Sequence, residues 1–181
     1  MTPAQKATVR ADILAKQASG QPLFGVVNEA AIAAYYNAQA APTFYAWRTS
    51  TQAADIGNAI VWSALTPVDT PDGTAIYTNR ALLCQAKQIN IQTLIQGRDS
   101  IASNKSNIRA GLQDALSFIP SGVGGAATGG GWNAVKSAMT RTTSVLEKLF
   151  ATGTGTAVSP ADLGCEDTLT DQMVSDIIAG L

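Results

Sequence analysis

Histidine is absent from the 181-residue chain. That removes serine–histidine and cysteine–histidine nucleophile pairs, and with them the commonest metal ligand. Charge is scarce as well. Asp, Glu, Lys and Arg make up 14% of the residues, against about 25% in an average domain. The net charge is -1 and no long basic run occurs, so the electrostatic footprint of a specific nucleic-acid reader is missing. A few charges facing a DNA channel remain compatible with that balance. No stretch reaches about 18 uninterrupted apolar residues, so no membrane-spanning helix is expected. The opening Met1-Thr-Pro-Ala-Gln-Lys6 leads into a polar amphipathic stretch rather than an apolar signal core, which argues against secretion. Two cysteines, Cys84 and Cys165, are too few and too far apart for a disulfide framework or a metal site. Cys84 lies within an apolar run and reads as a small core residue. Acids are scattered. The adjacent pair Glu166-Asp167 lacks the alternating oxygen ligands of a calcium loop. Neither an enzyme nor a bound cofactor or metal is expected.

Alanine, threonine, serine, asparagine and glutamine stand where charge is missing. Such a neutral polar surface suits burial against other subunits, because little charge must be desolvated. An ordinary monomer would carry the same surface. The length suits a single domain, 1–181. Helical periodicity dominates. It predicts a mainly α fold, a helical bundle around a long central helix, with a flexible glycine-rich loop, a flexible C-terminal tail over 157–181 and little or no β-structure.

The first helix is expected over Pro3–Ala18, with Thr2 as N-cap, Pro3 in its first turn and Val9, Ile13 and Leu14 as its apolar stripe. Leu23–Val27 reads as an apolar linker. Asn28 caps a second helix, Glu29 to Ala38, with Ile32, Tyr35 and Tyr36 on one side. Phe44-Tyr-Ala-Trp-Arg-Thr49 is the densest aromatic cluster, read as a packing anchor or else a platform for a ligand or partner. Thr51–Leu65 is expected to be helical, with Ile56, Ile60, Val61 and Trp62 inward. A turn-rich linker, Thr66–Gly73, follows.

The core is expected over Thr74–Phe150. A long helix, Thr74–Gln96, stops at Gly97 and is apolar around most of its circumference, which normally marks a central element. Gln85, Gln88, Gln92 and Gln96 form an uncharged stripe on it, and the first three are candidate partner contacts. Helices are predicted at Asn104–Phe118 and Trp132–Phe150. Between them runs Gly122-Val-Gly-Gly-Ala-Ala-Thr-Gly-Gly-Gly131, too glycine-rich to hold one conformation unaided. It has no Gly-Lys-Ser/Thr ending. Its Gly-x-Gly-x-x-Ala match follows Pro120-Ser121 rather than a strand, so phosphate binding is not expected. Gly122, Gly124, Gly125, Gly129, Gly130 and Gly131 are instead candidate contacts with a partner. Lys105, Arg109, Lys136 and Arg141 are candidates for facing DNA, although a solvated helix face would look the same. A last helix is expected over Asp171–Ala179, capped by Thr170.

Four stretches carry a family resemblance: Phe44-Tyr-Ala-Trp-Arg-Thr49, Ile60-Val-Trp-Ser-Ala-Leu-Thr-Pro-Val-Asp69, Asn107-Ile-Arg-Ala-Gly-Leu-Gln-Asp-Ala-Leu116 and Leu146-Glu-Lys-Leu-Phe-Ala-Thr-Gly-Thr-Gly-Thr156. Together they resemble a family of small structural proteins of tailed bacteriophages and prophages. The likeness covers most of the chain and fades over the final residues. The resemblance implies a virion protein assembled in the bacterial cytoplasm, a head–tail connector (adaptor) in the neck. As partners it implies copies of itself in a ring of roughly twelve, a portal protein, a tail or stopper protein and non-specifically held packaged DNA, with no membrane. A capsid decoration or tail-associated protein is the alternative. No functional residues transfer with the resemblance.

Overall fold

A computed structural model describes residues 1–25, 28–65, 75–117, 119–120, 127–128 and 131–180, with the backbone alone over 75–80, 119–120 and 127–128. Thr66–Gly73 and Gly122, Gly124, Gly125, Gly129 and Gly130 lie outside the described residues. The chain is mainly helical, with a few strands of two or three residues. Its α-helices are α1 (Pro3–Ala18), α2 (Pro22–Gly25), α3 (Glu29–Asn37), α4 (Ala53–Ala59), α5 (Ala75–Ile95), α6 (Ser106–Leu116), α7 (Trp132–Ala138), α8 (Val145–Leu149) and α9 (Asp171–Ala179). Among the described residues no helix is long and apolar enough to cross a membrane.

The chain divides into two compact units, Met1–Ala46 with Thr142–Leu181, and Trp47–Arg141. Each has its own apolar core. In the first unit, Val9 and Ile13 of α1, Phe24 of α2, Ile32, Ala33 and Tyr36 of α3, Leu146 of α8, and Val174 and Ile177 of α9 are buried together with Leu169. Side-chain caps start four of its helices. Thr2 and Gln5 form a reciprocal capping box on α1. Asn28 accepts from the Ala31 N–H on α3, Ser144 and Glu147 form a second box on α8, and Thr170 accepts from the Met173 N–H on α9. Each cap satisfies backbone donors that the first helical turn leaves unpaired.

The segment after α8 is tied down, contrary to the flexible tail expected. Ala151–Thr152 pairs antiparallel with Asp162–Leu163. The Tyr45 N–H donates to the Gly155 carbonyl at 2.8 Å, and the Ala161 N–H donates to the Tyr45 carbonyl at 2.9 Å. Gly155 has φ +65°, and a Cβ there would stand 2.1 Å from Phe44 Cε2. Only glycine combines that backbone with that approach. Ala161, Cys165 and Leu169 are buried, and α9 docks through Val174 and Ile177.

In the second unit, Trp47, Ile56, Ile60, Leu65, Cys84, Ile91, Ile101, Leu112, Ala115, Leu116, Val135 and Met139 form the core. Thr51–Gln52 pairs antiparallel with Ser100–Ile101, and Ile119–Pro120 with Ala127–Thr128. Helix α5, 21 residues and about 31 Å long, turns Cys84, Lys87 and Ile91 inward. It ends at Gly97, whose φ is +70°.

Several expectations need correction. The 51–65 stretch is a short strand, α4 and a 3-10 turn at Trp62–Leu65, and Val61 and Trp62 are exposed rather than inward. Trp132–Phe150 is not one helix. It stops at Ala138, runs as a strand over Thr140–Thr142 and restarts at α8. Three threonines within Thr140–Thr143 favour extended backbone, and Ser144-x-x-Glu147 supplies a fresh helix start. The 23–27 linker is partly helical, as α2. Leu14 is 51% exposed, so the stripe of α1 narrows to Val9 and Ile13.

Candidate functional site

The expected contact residues that the structure describes all lie in the second unit, and the structure separates them by role. On α5 the exposed residues Leu82, Gln85, Ile89 and Gln92 recur at intervals of three and four, so they share one helix face, and the exposed Gln96 follows just past the helix end. Leu82 is 58% and Ile89 53% exposed. Gln88 lies off this face. It is half-buried and donates from Nε2 to the Leu65 carbonyl at 3.1 Å, so it braces its own unit. Lys87, opposite, is buried and donates to the Asp114 carbonyl of α6.

The four basic candidates divide too. Lys105 is exposed, at the start of α6. The Arg109 guanidinium lies 4.6 Å from the Trp47 ring centroid and donates to the Ser103 carbonyl at 3.2 Å. That stacking fits the flat guanidinium and assigns Arg109 a packing role. Lys136 and Arg141 are half-buried. Of the glycine candidates, Gly131 alone is described. With φ +92° it precedes α7, and a Cβ there would stand 2.9 Å from the Ala59 carbonyl oxygen. It serves a close backbone approach inside the second unit.

Two further features, one in each unit, were not revealed by periodicity. In the second unit an open cleft of about 610 Å3 is lined by Arg48, Ser50, Thr51, Gln52, Asp55, Asn58, Ala59 and Ala138. Arg48 is fixed at its rim by donating from Nε to the Thr140 carbonyl at 3.1 Å. Thr51 and Ser103 share a buried hydroxyl–hydroxyl bond of 2.6 Å. The cleft offers hydrogen-bond donors and acceptors from Arg48, Ser50, Gln52, Asp55 and Asn58.

In the first unit, Phe24, Tyr35 and Tyr36 meet edge to face, with centroids 5.3–6.4 Å apart. The Lys16 ammonium stands 5.8 Å from the Tyr35 and Tyr36 centroids and 6.0 Å from that of Phe24. It is ion-paired with Asp12, one turn earlier on α1. Asp12 Oδ2 also accepts the Tyr36 hydroxyl at 2.5 Å. Burial pushes the Tyr36 phenol well above its ordinary range, and the neighbouring Asp12 carboxylate, through its hydrogen bond and its charge, pushes further. Tyr36 is therefore a permanent donor at neutral pH, not a base.

The remaining reactive groups are quiet. Both cysteines are buried thiols outside any disulfide. Burial raises Cys84, against the opposing charge of Lys87. Burial, followed by the charge of Asp167, raises Cys165. Neither is a thiolate at neutral pH. Asp167 is held below the usual carboxylate range by the Met1 ammonium that donates to it at 2.7 Å, and next by the Thr168 N–H. Glu147 is buried in its capping box. Among the described residues no group of three or more potential metal ligands comes together. Comparison with protein-family models, curated proteins and solved structures finds no match to this chain.

Proposed function

We propose that this chain is a structural protein of a tailed-phage virion, a head–tail connector whose copies form a ring in the neck, between portal and tail, and let DNA pass. The observation that carries the reading is the resemblance of the stretches 44–49, 60–69, 107–116 and 146–156 to that family. Those stretches include core residues of both units: Trp47, Leu112, Ala115 and Leu116 in one, Leu146 in the other. They are the residues a shared fold would need.

The exposed face of α5 supports the same reading. Leucine and isoleucine alternate there with glutamine at a three-and-four spacing, without a charge from Leu82 to Gln92 on that side. Such a seam can pack against a helix of a neighbouring subunit, with amides bonding across it. In this reading α5 is the packing spine of a helical bundle. A ring contact joins two different faces of the same chain, so α5 meets a non-identical surface. Lys105 is the exposed cation best suited to face DNA.

The test is native mass spectrometry of the purified chain alone and mixed with the portal protein of a phage encoding it. The chain alone should be monomeric or weakly associated, and the mixture should contain a closed ring on the portal. Leu82→Ser with Ile89→Ser should abolish the ring while leaving the monomer folded. A chain that ignores the portal would defeat the proposal.

A further inference from the structure

We propose that the cavity formed by α1, α3 and α8 in the first unit binds a carboxylate carried on a short apolar group. The cavity measures about 350 Å3. Ala41, Val145 and Leu149 supply apolar lining, and Asp12, Lys16 and Lys148 supply charge.

The charges do not cancel. Asp12 is committed to the Lys16 ammonium and, through the same oxygen, to the Tyr36 hydroxyl. Lys16 is in turn surrounded by three aromatic rings. That leaves Lys148. Its ammonium lies 5.5 Å from the Phe44 ring centroid, and among the described residues it pairs with no carboxylate. A half-buried cation in a partly apolar lining is poorly solvated, so an anion that reaches it gains more than it would in open water. The apolar lining selects what carries the anion. A bare, strongly hydrated ion would leave Val145 and Leu149 uncovered, whereas a branched aliphatic acid covers them and places its carboxylate on Lys148. The same chemistry can come from a free organic acid or from the terminal carboxylate of a polypeptide. The inference does not depend on the proposed neck role.

The experiment is a methyl-detected NMR titration of the full chain with 4-methylpentanoate, N-acetyl-leucine and N-acetyl-leucinamide. The two acids should shift the Ala41, Val145 and Leu149 methyls saturably, and the amide should bind about ten-fold more weakly or worse, as expected for loss of a charge-assisted hydrogen bond. Tighter binding of N-acetyl-leucine than of 4-methylpentanoate identifies a polypeptide terminus as the source, and the reverse identifies a free acid. Lys148→Met keeps the aliphatic stem and should weaken both acids by about ten-fold. Lys148→Arg, which keeps the charge, should retain binding. No saturable shift, equal binding of acid and amide, or equal binding to Lys148→Met would each overturn the proposal.

Discussion

The two units reach stability by different local means. The first begins α1, α3, α8 and α9 with side-chain caps at Thr2, Asn28, Ser144 and Thr170. In the second, Gln52, Lys105 and Gly131 precede α4, α6 and α7 without a side-chain cap. The first gathers part of its buried polarity in one aromatic and charged cluster, Asp12–Lys16–Tyr36, and buries Thr143 and Glu147 as well. The second distributes it over the Thr51–Ser103 hydroxyl pair, Lys87 and Arg109. A capped helix announces its own boundary, whereas an uncapped one is bounded by what it packs against.

The largest effects should come from the cores. Leu146→Ala in the first unit and Leu112→Ala in the second should each cost about 2–5 kcal/mol. The buried thiols report which unit opens. Leu146→Ala should accelerate labelling of Cys165 before that of Cys84, and Leu112→Ala should do the opposite. Equal acceleration of both thiols by either variant would collapse the comparison.

Glycine sharpens it. Gly155→Ala places a methyl into the Phe44 ring as well as a side chain in left-handed backbone, for a cost of about 3 kcal/mol. Gly97→Ala has a similar φ and nothing within 4 Å, so about 1–2 kcal/mol is expected. Denaturant midpoints of the two variants measure the difference. Equal losses would show that Phe44 yields.

Tyr36→Phe removes a hydroxyl bonded to a carboxylate, worth about 2 kcal/mol. Its pH dependence has a definite sign. The folded state raises the Tyr36 pKa, so its contribution is complete below the unfolded phenol's value of about 10 and is lost as pH rises above it. Thermal melts should show wild-type stability falling toward the Phe variant above that pH. A constant gap would contradict the burial of the phenol.

The smallest effects concern caps. Ser144→Ala should cost about 1 kcal/mol. Lys105 has cap-compatible extended backbone at φ -87° and ψ 118°, so Lys105→Asp should gain about 0.5–1 kcal/mol. Urea titration of both variants checks the pair.

This contrast explains what was legible in the sequence. The capped elements α1, α3 and α9 match their expected bounds to within a residue, because Thr2, Asn28 and Thr170 each precede a periodic apolar run. The break at Thr140–Thr142 was hidden because Val135, Met139, Val145, Leu146 and Leu149 keep a roughly helical period across it. The Ser144-x-x-Glu147 box and the threonine run were the available signals. Composition likewise does not mark the passage between units, which falls inside the aromatic stretch Phe44–Thr49. Residue roles were less legible than helices. Gln88 and Gln85 are alike in type and spacing, yet only tertiary packing decides that one braces Leu65 while the other faces out. Arg109 could be separated from Lys105 only once Trp47 was placed beneath it. The cavity at Lys148 joins α1, α3 and α8, elements far apart in the chain, and no local pattern announces it.

The most direct test of the proposed neck role is cryo-electron microscopy of virions from a tailed phage that encodes this chain, with the chain tagged for localisation. The account predicts a single ring of the protein at the junction of portal and tail, and its loss with the Leu82→Ser, Ile89→Ser pair. Copies distributed over the capsid shell, or along the tail tube, would contradict it.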